Sequence, residues 1–563
     1  MVDNKSSNRG VWITTGACAI LVNIYIGYNA TVMNQPAILF REWIGQRYNI
    51  STCGSTMDDS RGSSWIRLKT SDPAIVVQMW ASIMSVMFIG ALFGSWVGGW
   101  MGDCIGKRDT ICVAAVPNVV GNSLSIISMM TFANSVGLLV FSRLLSGIAL
   151  GMGTVSLTGY IVEIAPTGMR GRLCVAVRIM SEICMTIGVI VPSRHLLGTP
   201  ELLQYIFVFT IPISLITPFI VTRFPRSPRF LYVFRHNREA ALASLKYFQG
   251  SNALTKVDLD AMIYSYADVR PRVAKETLES GKTPQPLQAT GKDPSQHPAK
   301  AGQSYSEKSP LLTNEDRKQP HGPGRSSLDA ALRGNNDGPS LEFGSTKVRW
   351  HLTAREALSD IATNKQVRIS FIIALVFPIM IICCGRTVCA SYSADIFRDA
   401  GIDNELINQT IVIIAQVAGF FLMLWAVFSV DLFGRRRILT PALISIAILQ
   451  PIIIGTMFWL SDHRHRTLLT NGLSRTRIVA KPPIATVVVS SSAAVLLTAI
   501  NIGLMSALRF IPSELFLQQY RGIGLALSNS TFYASAAVVN ALFPIVQRLH
   551  SGVGFVMLLN RCY

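Results

Sequence analysis

Arg178 and Glu182 stand four residues apart inside an otherwise apolar run, so a helix there sets a guanidinium and a carboxylate on one face. Arg386 adds a charge inside a second apolar run. Ionisable groups in such surroundings are costly and are functional candidates by default; the plainer alternative is a structural Arg–Glu pair that satisfies itself between helices. A different chemistry lies in two short polar breaks. Gly99-Trp-Met-Gly-Asp103-Cys-Ile-Gly106-Lys107-Arg108 has a counterpart in Asp431-Leu-Phe-Gly434-Arg435-Arg436. Glycine permits a sharp reversal, the acid stands beside a neighbouring helix end, and the basic pair can meet carboxylates supplied from elsewhere, although basic residues in short loops are also ordinary. No phosphate loop, metal-ligand cluster or nucleophile setting of recognised spacing occurs, so neither an enzyme nor a cofactor is expected.

These residues are positioned by long apolar segments. Half of the 563 residues are hydrophobic and only 15% are charged, with a mean hydropathy of +0.39, which excludes an ordinary soluble protein of this length. Eleven stretches are long enough for the hydrocarbon core of a bilayer: 11–33, 74–97, 111–132, 136–160, 173–193, 202–222, 367–390, 409–430, 438–459, 484–508 and 525–545. A twelfth begins near Val553 and stops at Tyr563, too short to cross, so the last helix is expected to be incomplete. The first stretch carries Asn23, Tyr25, Tyr28 and Asn29 and no small-residue cleavage site, which reads as a retained helix instead of a signal peptide. The net charge of +19 falls mainly in short loops and one polar segment, so nucleic acid is not an expected partner. The ten cysteines lie mostly in or beside the spans and imply no disulfide framework.

The chain therefore reads as an N-terminal half (1–223), a cytoplasmic linker (224–366) and a C-terminal half (367–563), the layout of two six-helix membrane halves with a solute between them. In the linker, 226–249 and 253–267 have helical periodicity, whereas 270–348 has the composition of a disordered segment. Lys and Arg near the span ends fall in alternate loops and predict cytoplasmic termini; the loop 461–481, with four arginines and Lys481, runs against this. Asn49-Ile50-Ser51 is a glycosylation acceptor on the outer side, while similar patterns at Asn29, Asn408 and Asn529 lie in or at the mouths of spans. Glu307-Lys-Ser-Pro-Leu311-Leu312 matches an acidic dileucine pattern and makes a sorting adaptor a candidate partner, with an endosomal or plasma membrane as the location.

The repeated turn resembles the signature of the major facilitator superfamily, and further residues resemble its sugar-porter branch, including the facilitative glucose transporters. Arg143 opens the fourth helix, with Gly147 and Gly151 following; Tyr160, Glu163, Arg170 and Gly171 resemble the Tyr-x-x-Glu and Arg-Gly pattern. Pro225-Arg226-Ser227-Pro228-Arg229 resembles the family's Pro-Glu-Ser-Pro-Arg, with arginine replacing the glutamate, and Glu514 with Arg521 repeats the Glu and Arg-Gly pairing. The resemblance implies an all-α fold of two six-helix halves and a cytoplasmic ion-pair gate to which it assigns Asp103, Arg108, Arg143, Glu163, Arg170, Asp431, Arg435, Glu514 and Arg521. It also implies facilitated diffusion of a small polar solute of the hexose type, because proton-coupled relatives usually place aspartate where Asn29 stands and an amide carries no proton. Asn29 bonding a neighbouring helix is the bland alternative.

The central amides of the family's sugar site are missing. Ile381 and Ile382 replace the usual Gln-Gln pair, Thr387 the asparagine and Arg509 a tryptophan; Gln416 lies one turn from the amide position of the eighth helix, which is Gly419. In the fifth helix, either Arg178 or Glu182 takes the place of a glutamine. The candidate solute-binding set is thus Asn29, Arg178, Glu182, Arg386, Thr387, Gln416 and Arg509, with a carrier of a charged or non-sugar solute, or a transport-inactive sensor, as alternatives.

Overall fold

In hydrocarbon, each backbone N–H and C=O has to be satisfied within its own segment, so apolar runs of about twenty residues fold as helices. The computed structural model describes residues 9–48, 74–130, 135–166, 169–235, 237–249, 365–385, 387–388, 391–392, 396, 404–433, 440, 443–449, 451–452, 455, 516 and 521–549. Within these, the side chains of 74, 233, 249, 366, 422–423, 425–433, 521 and 546–549 lie outside the description.

The elements are α1 (Arg9–Thr31), α2 (Ala37–Arg47), α3 (Ala74–Cys104), α4 (Lys107–Met129), α5 (Val136–Ile164), α6 (Arg170–Ile190), a 3-10 turn (Leu203–Phe207), α7 (Thr210–Val221), α8 (Pro228–Val233), α9 (Arg238–Gln249), α10 (Lys365–Cys383), α11 (Glu405–Phe433) and α12 (Arg521–Leu549). Seven segments among the described residues are long and apolar enough to cross a membrane, and Val367–Cys383 and Glu405–Phe421 are shorter apolar helices. Phe93, Trp100 and Phe219 expose 58%, 68% and 75% of their surface, which a lipid solvent tolerates and water does not.

α3 packs on α5 and α12, α4 on α5 and α7, α1 on α6, α10 on α12, and α11 on α6. The α3–α5 contact is backbone on backbone: Gly90 faces Gly147, Gly94 and Gly98 meet the backbone of Ile148 and Met152, and a methyl at Gly151 would collide with the Ala91 carbonyl oxygen. Small residues at four-residue spacing bring membrane helices this close. The reversal from α3 to α4 turns on Gly106, whose φ of 97° suits glycine, with the Phe230 ring packed beneath it.

Three expectations change. The run 367–390 is not one helix: α10 stops at Cys383, and Gly385 takes a φ of 81°. The run 202–222 opens with a 3-10 turn before α7, and the stretch between the first two expected spans, 34–73, holds α2 near its start. α2 is held because Phe40 stacks on Trp80 with centroids 5.6 Å apart and Arg41 lies over the same ring. The periodic stretch 226–249 forms two helices; Ser227 caps α8, and Asn237 Oδ1 accepts from Ala240 N at 2.9 Å before α9. The stretches 253–267, 270–348 and 461–481, the span 484–508 and the run from Val553 lie outside the described residues.

Candidate functional site

The four-residue spacing in α6 does bring its charges together. Arg178 Nη2 donates to Glu182 Oε2 at 2.6 Å, and the two residues are 3% and 0% exposed. The other carboxylate oxygen, Oε1, accepts from Gln416 Nε2 of α11 at 2.7 Å. Glu182 is thus a carboxylate whose charge is balanced within its own helix and which also reaches the C-terminal half. Glu182 lies eight residues before the end of α6 and Gln416 eleven after the start of α11, so the link sits well inside both helices. A buried pair of this kind contributes little net stability when complete and costs much when one partner is lost. Thr387 is buried, at 4% exposure, with no partner for its hydroxyl among the described residues. Arg386 and Arg509 lie outside the described residues.

Asn29 belongs to a different assembly. Its Nδ2 donates to Asn118 Oδ1 at 2.6 Å; Asn118 Nδ2 donates to Ser214 Oγ at 2.6 Å; and Asn122 Nδ2 donates to Asn118 Oδ1 at 3.0 Å and to Thr210 Oγ1 at 2.8 Å. This chain of amides ties α1, α4 and α7 inside the N-terminal half. Arg143 joins it, donating to the Asn29 carbonyl at 3.5 Å with its guanidinium over the Phe207 ring. The assignment of Arg143 to the charged gate is therefore corrected. α4 runs away from the Gly106 turn and α5 returns, so Arg143 lies at the far end, roughly 30 Å along α5 from Glu163 at 1.5 Å per residue.

Around the Gly106 turn the charges assemble in pairs that the sequence pattern does not specify. Lys107 Nζ stands 3.6 Å from both Asp103 and Glu163, and Arg229 Nη1 lies 3.5 Å from Glu163. Asp109 takes Arg108 at 2.6 Å and Arg226 at 2.7 Å. Arg108 thus serves Asp109, while Arg170 donates from Nε to the Ala165 carbonyl at 3.2 Å. The arginine that replaces a glutamate at 226 meets its carboxylate on α4. Gly522, in the first turn of α12, faces Asp103, where a methyl would stand 3.6 Å from the carboxylate; the free N–H groups of a helix start favour an anion there. Asp431 and Arg521 are helical, with side chains outside the description; Arg435, Glu514, Asn49, Glu307, Leu311 and Leu312 lie outside the described residues.

A second cross-half cluster, which no motif in the sequence announces, lies at the opposite end. Arg194 Nη1 stands 3.2 Å from Glu405 Oε2 at the start of α11. Gln409 Oε1 accepts from Arg194 N at 2.9 Å, and its Nε2 donates to the Gln35 carbonyl at 3.4 Å. Between the two ends, Thr154 of α5 bonds Tyr533 of α12 at 3.1 Å. None of these partners shares a motif; they meet only because the helices do.

Comparison with known proteins agrees with this architecture. The solved structure of the proton:xylose symporter XylE bound to 6-bromo-6-deoxy-D-glucose, a major facilitator protein, superposes with a TM-score of 0.64 at 16% identity, covering 99% of this chain and 94% of that one. A partially occluded inward open conformation of XylE from E. coli gives 0.61 at 15% identity, covering 98% and 95%. The fold is the major facilitator fold. Facilitated glucose transporter member 4 of solute carrier family 2 from Homo sapiens is 28% identical over 236 residues, 41% of this chain and 43% of that protein. Member 2 from Sus scrofa is 27% identical over 261 residues, 42% and 49%. The matched part thus spans less than half the length of these relatives. The family described as sugar (and other) transporter matches residues 15–284 and 325–560, and with seven apolar spans in the described part the chain is a multi-pass membrane protein belonging to that family.

Proposed function

We propose that the chain carries a small, neutral, hydroxyl-rich solute of the hexose class across a membrane by facilitated diffusion with alternating access. The observation that carries the reading is the Glu182–Gln416 bond, a polar contact between the two halves well inside the helices, where a carrier of this fold holds its solute. A carboxylate whose charge is balanced by Arg178 needs no ionic ligand, yet it still accepts hydrogen bonds from hydroxyls. This favours a neutral solute over the charged one. Gln416 offers both a donor and an acceptor, and Thr387 adds a buried hydroxyl. A sugar hydroxyl donating to Glu182 in place of the Gln416 amide would loosen one tie between the halves while itself touching both.

In this reading the Asp103 end is cytoplasmic, as are both termini, and 1–223 and 367–563 rock about the central contact with 224–366 as their linker. The charges around Lys107, Glu163 and Asp109 hold the cytoplasmic side, with Asp431, Arg435, Glu514 and Arg521 as their counterparts in the second half. Asn29, committed to Asn118, has no proton to give, which supports uniport; Arg386 and Arg509 are kept as candidates for the solute site. Asn49 is glycosylated on the outer side, and Glu307, Leu311 and Leu312 recruit a sorting adaptor.

The test is uptake of labelled hexoses into transporter-null cells or proteoliposomes, comparing the native chain with Glu182→Gln and Gln416→Ala. Saturable uptake that survives collapse of the proton gradient and weakens in both variants is the expected result. No uptake by correctly inserted protein would sink the hexose reading.

A further inference from the structure

We propose that Arg194 and Glu405, with Gln409 beside them, form a latch that closes the mouth opposite the Asp103 end and parts each time that mouth opens; the proposal rests on the alternating-access reading above. The pair crosses between the halves, 3.2 Å from Nη1 to Oε2, with side chains 17% and 21% exposed. Both partners have rigid mounts. Arg194 sits in a turn closed by its own backbone, with Leu197 N donating to Val191 O at 3.2 Å and Gly198 N to Ser193 O at 2.8 Å, so it moves with α6. Glu405 lies in the first turn of α11, which Asn404 Oδ1 caps by accepting from Leu406 N at 3.0 Å. Gln409, one turn on and 1% exposed, joins three elements: it accepts from Arg194 N and donates to Gln35 O and, at 3.3 Å, to Glu405 Oε1. Glu405, Gln409 and Gln416 descend α11 as Arg194 and Glu182 descend towards the start of α6, so the latch and the central contact form one antiparallel polar seam.

The strength suits a gate. A partly exposed ion pair shifts an equilibrium by up to about fivefold, enough to bias the mouth closed without locking it. A permanent structural tie would be better made from apolar packing.

The experiment is hydrogen exchange on the full chain in lipid nanodiscs, following peptides that cover 30–48, 191–202 and 404–412. Arg194→Gln and Glu405→Gln are each expected to raise exchange in all three segments by about two- to fivefold, and the swapped Arg194→Glu/Glu405→Arg chain to return towards native values. Phe219→Leu, on the lipid-facing surface, should leave the three segments unchanged. Exchange unaltered by the single changes, or a swapped chain as open as the singles, overturns the latch. Hexose uptake by the same variants reconstituted into proteoliposomes separates the claims: native exchange coupling without uptake removes the solute assignment, whereas uptake with no coupling removes the latch.

Discussion

Replacing Glu182 with methionine removes the carboxylate that Arg178 approaches at 2.6 Å and Gln416 at 2.7 Å, leaving a guanidinium 3% exposed without its counter-charge. Breaking a buried pair from one side costs about 3–5 kcal/mol. For the compact unit of 1–266 and 352–563, an unfolding entropy of about 2.1 cal/mol/K per residue converts this to a fall of about 3–5 °C in apparent Tm. Arg178→Met should fall by a similar amount, because it strands the carboxylate. The Arg178→Met/Glu182→Met chain should recover most of the loss and stay within about 2 °C of native, since an apolar pair of similar volume replaces an ion pair at little cost, although the Gln416 amide loses its acceptor. Heated size-exclusion chromatography with fluorescence detection, on detergent-solubilised protein, measures all four chains. A double variant that loses the sum of the two single losses refutes the reasoning, because the charges would then be acting on other partners.

Asn118→Ala removes two interhelical hydrogen bonds, to Asn29 and Ser214, and one within α4 to Asn122; at about 0.6 kcal/mol for each interhelical bond in a membrane, the same thermal assay should show a loss of about 1 kcal/mol. Gly151→Val drives a branched side chain into the Ala91 carbonyl and should cost at least about 1–3 kcal/mol, seen as loss of the monodisperse peak, whereas Phe219→Leu on the lipid-facing surface should keep it. Asn49→Gln should abolish an endoglycosidase-sensitive shift in electrophoretic mobility; a native chain with no such shift argues against the outer placement of that loop.

The helices among the described residues were legible because membrane segments advertise themselves by length and apolarity alone, and the Arg178–Glu182 pair because its spacing is local. The partners that close the ends were not. Asp109 beside Arg108 reads as one more loop charge until α8 and its preceding turn bring Arg226 to it, 117 residues later. Arg194 and Glu405 are joined only by tertiary packing. Arg143 was misplaced for a related reason: a motif that names an arginine at the start of a helix does not say which end of the bundle that helix starts from. The break at Gly385 was hidden because the apolar run continues through it.

The glycine contact between α3 and α5 makes a lever of the N-terminal half. At about 1.5 Å per residue the 29 residues of α5 are roughly 43 Å long, and with backbone against backbone there is little side chain to absorb strain. A tilt of about 10° around the middle carries either end through roughly 4 Å, more than the whole reach of an ion pair. Motion that merely eases the centre is therefore amplified into a decisive separation at a mouth. Mutations that soften this hinge-free beam should blunt the response of the ends without touching a single polar contact.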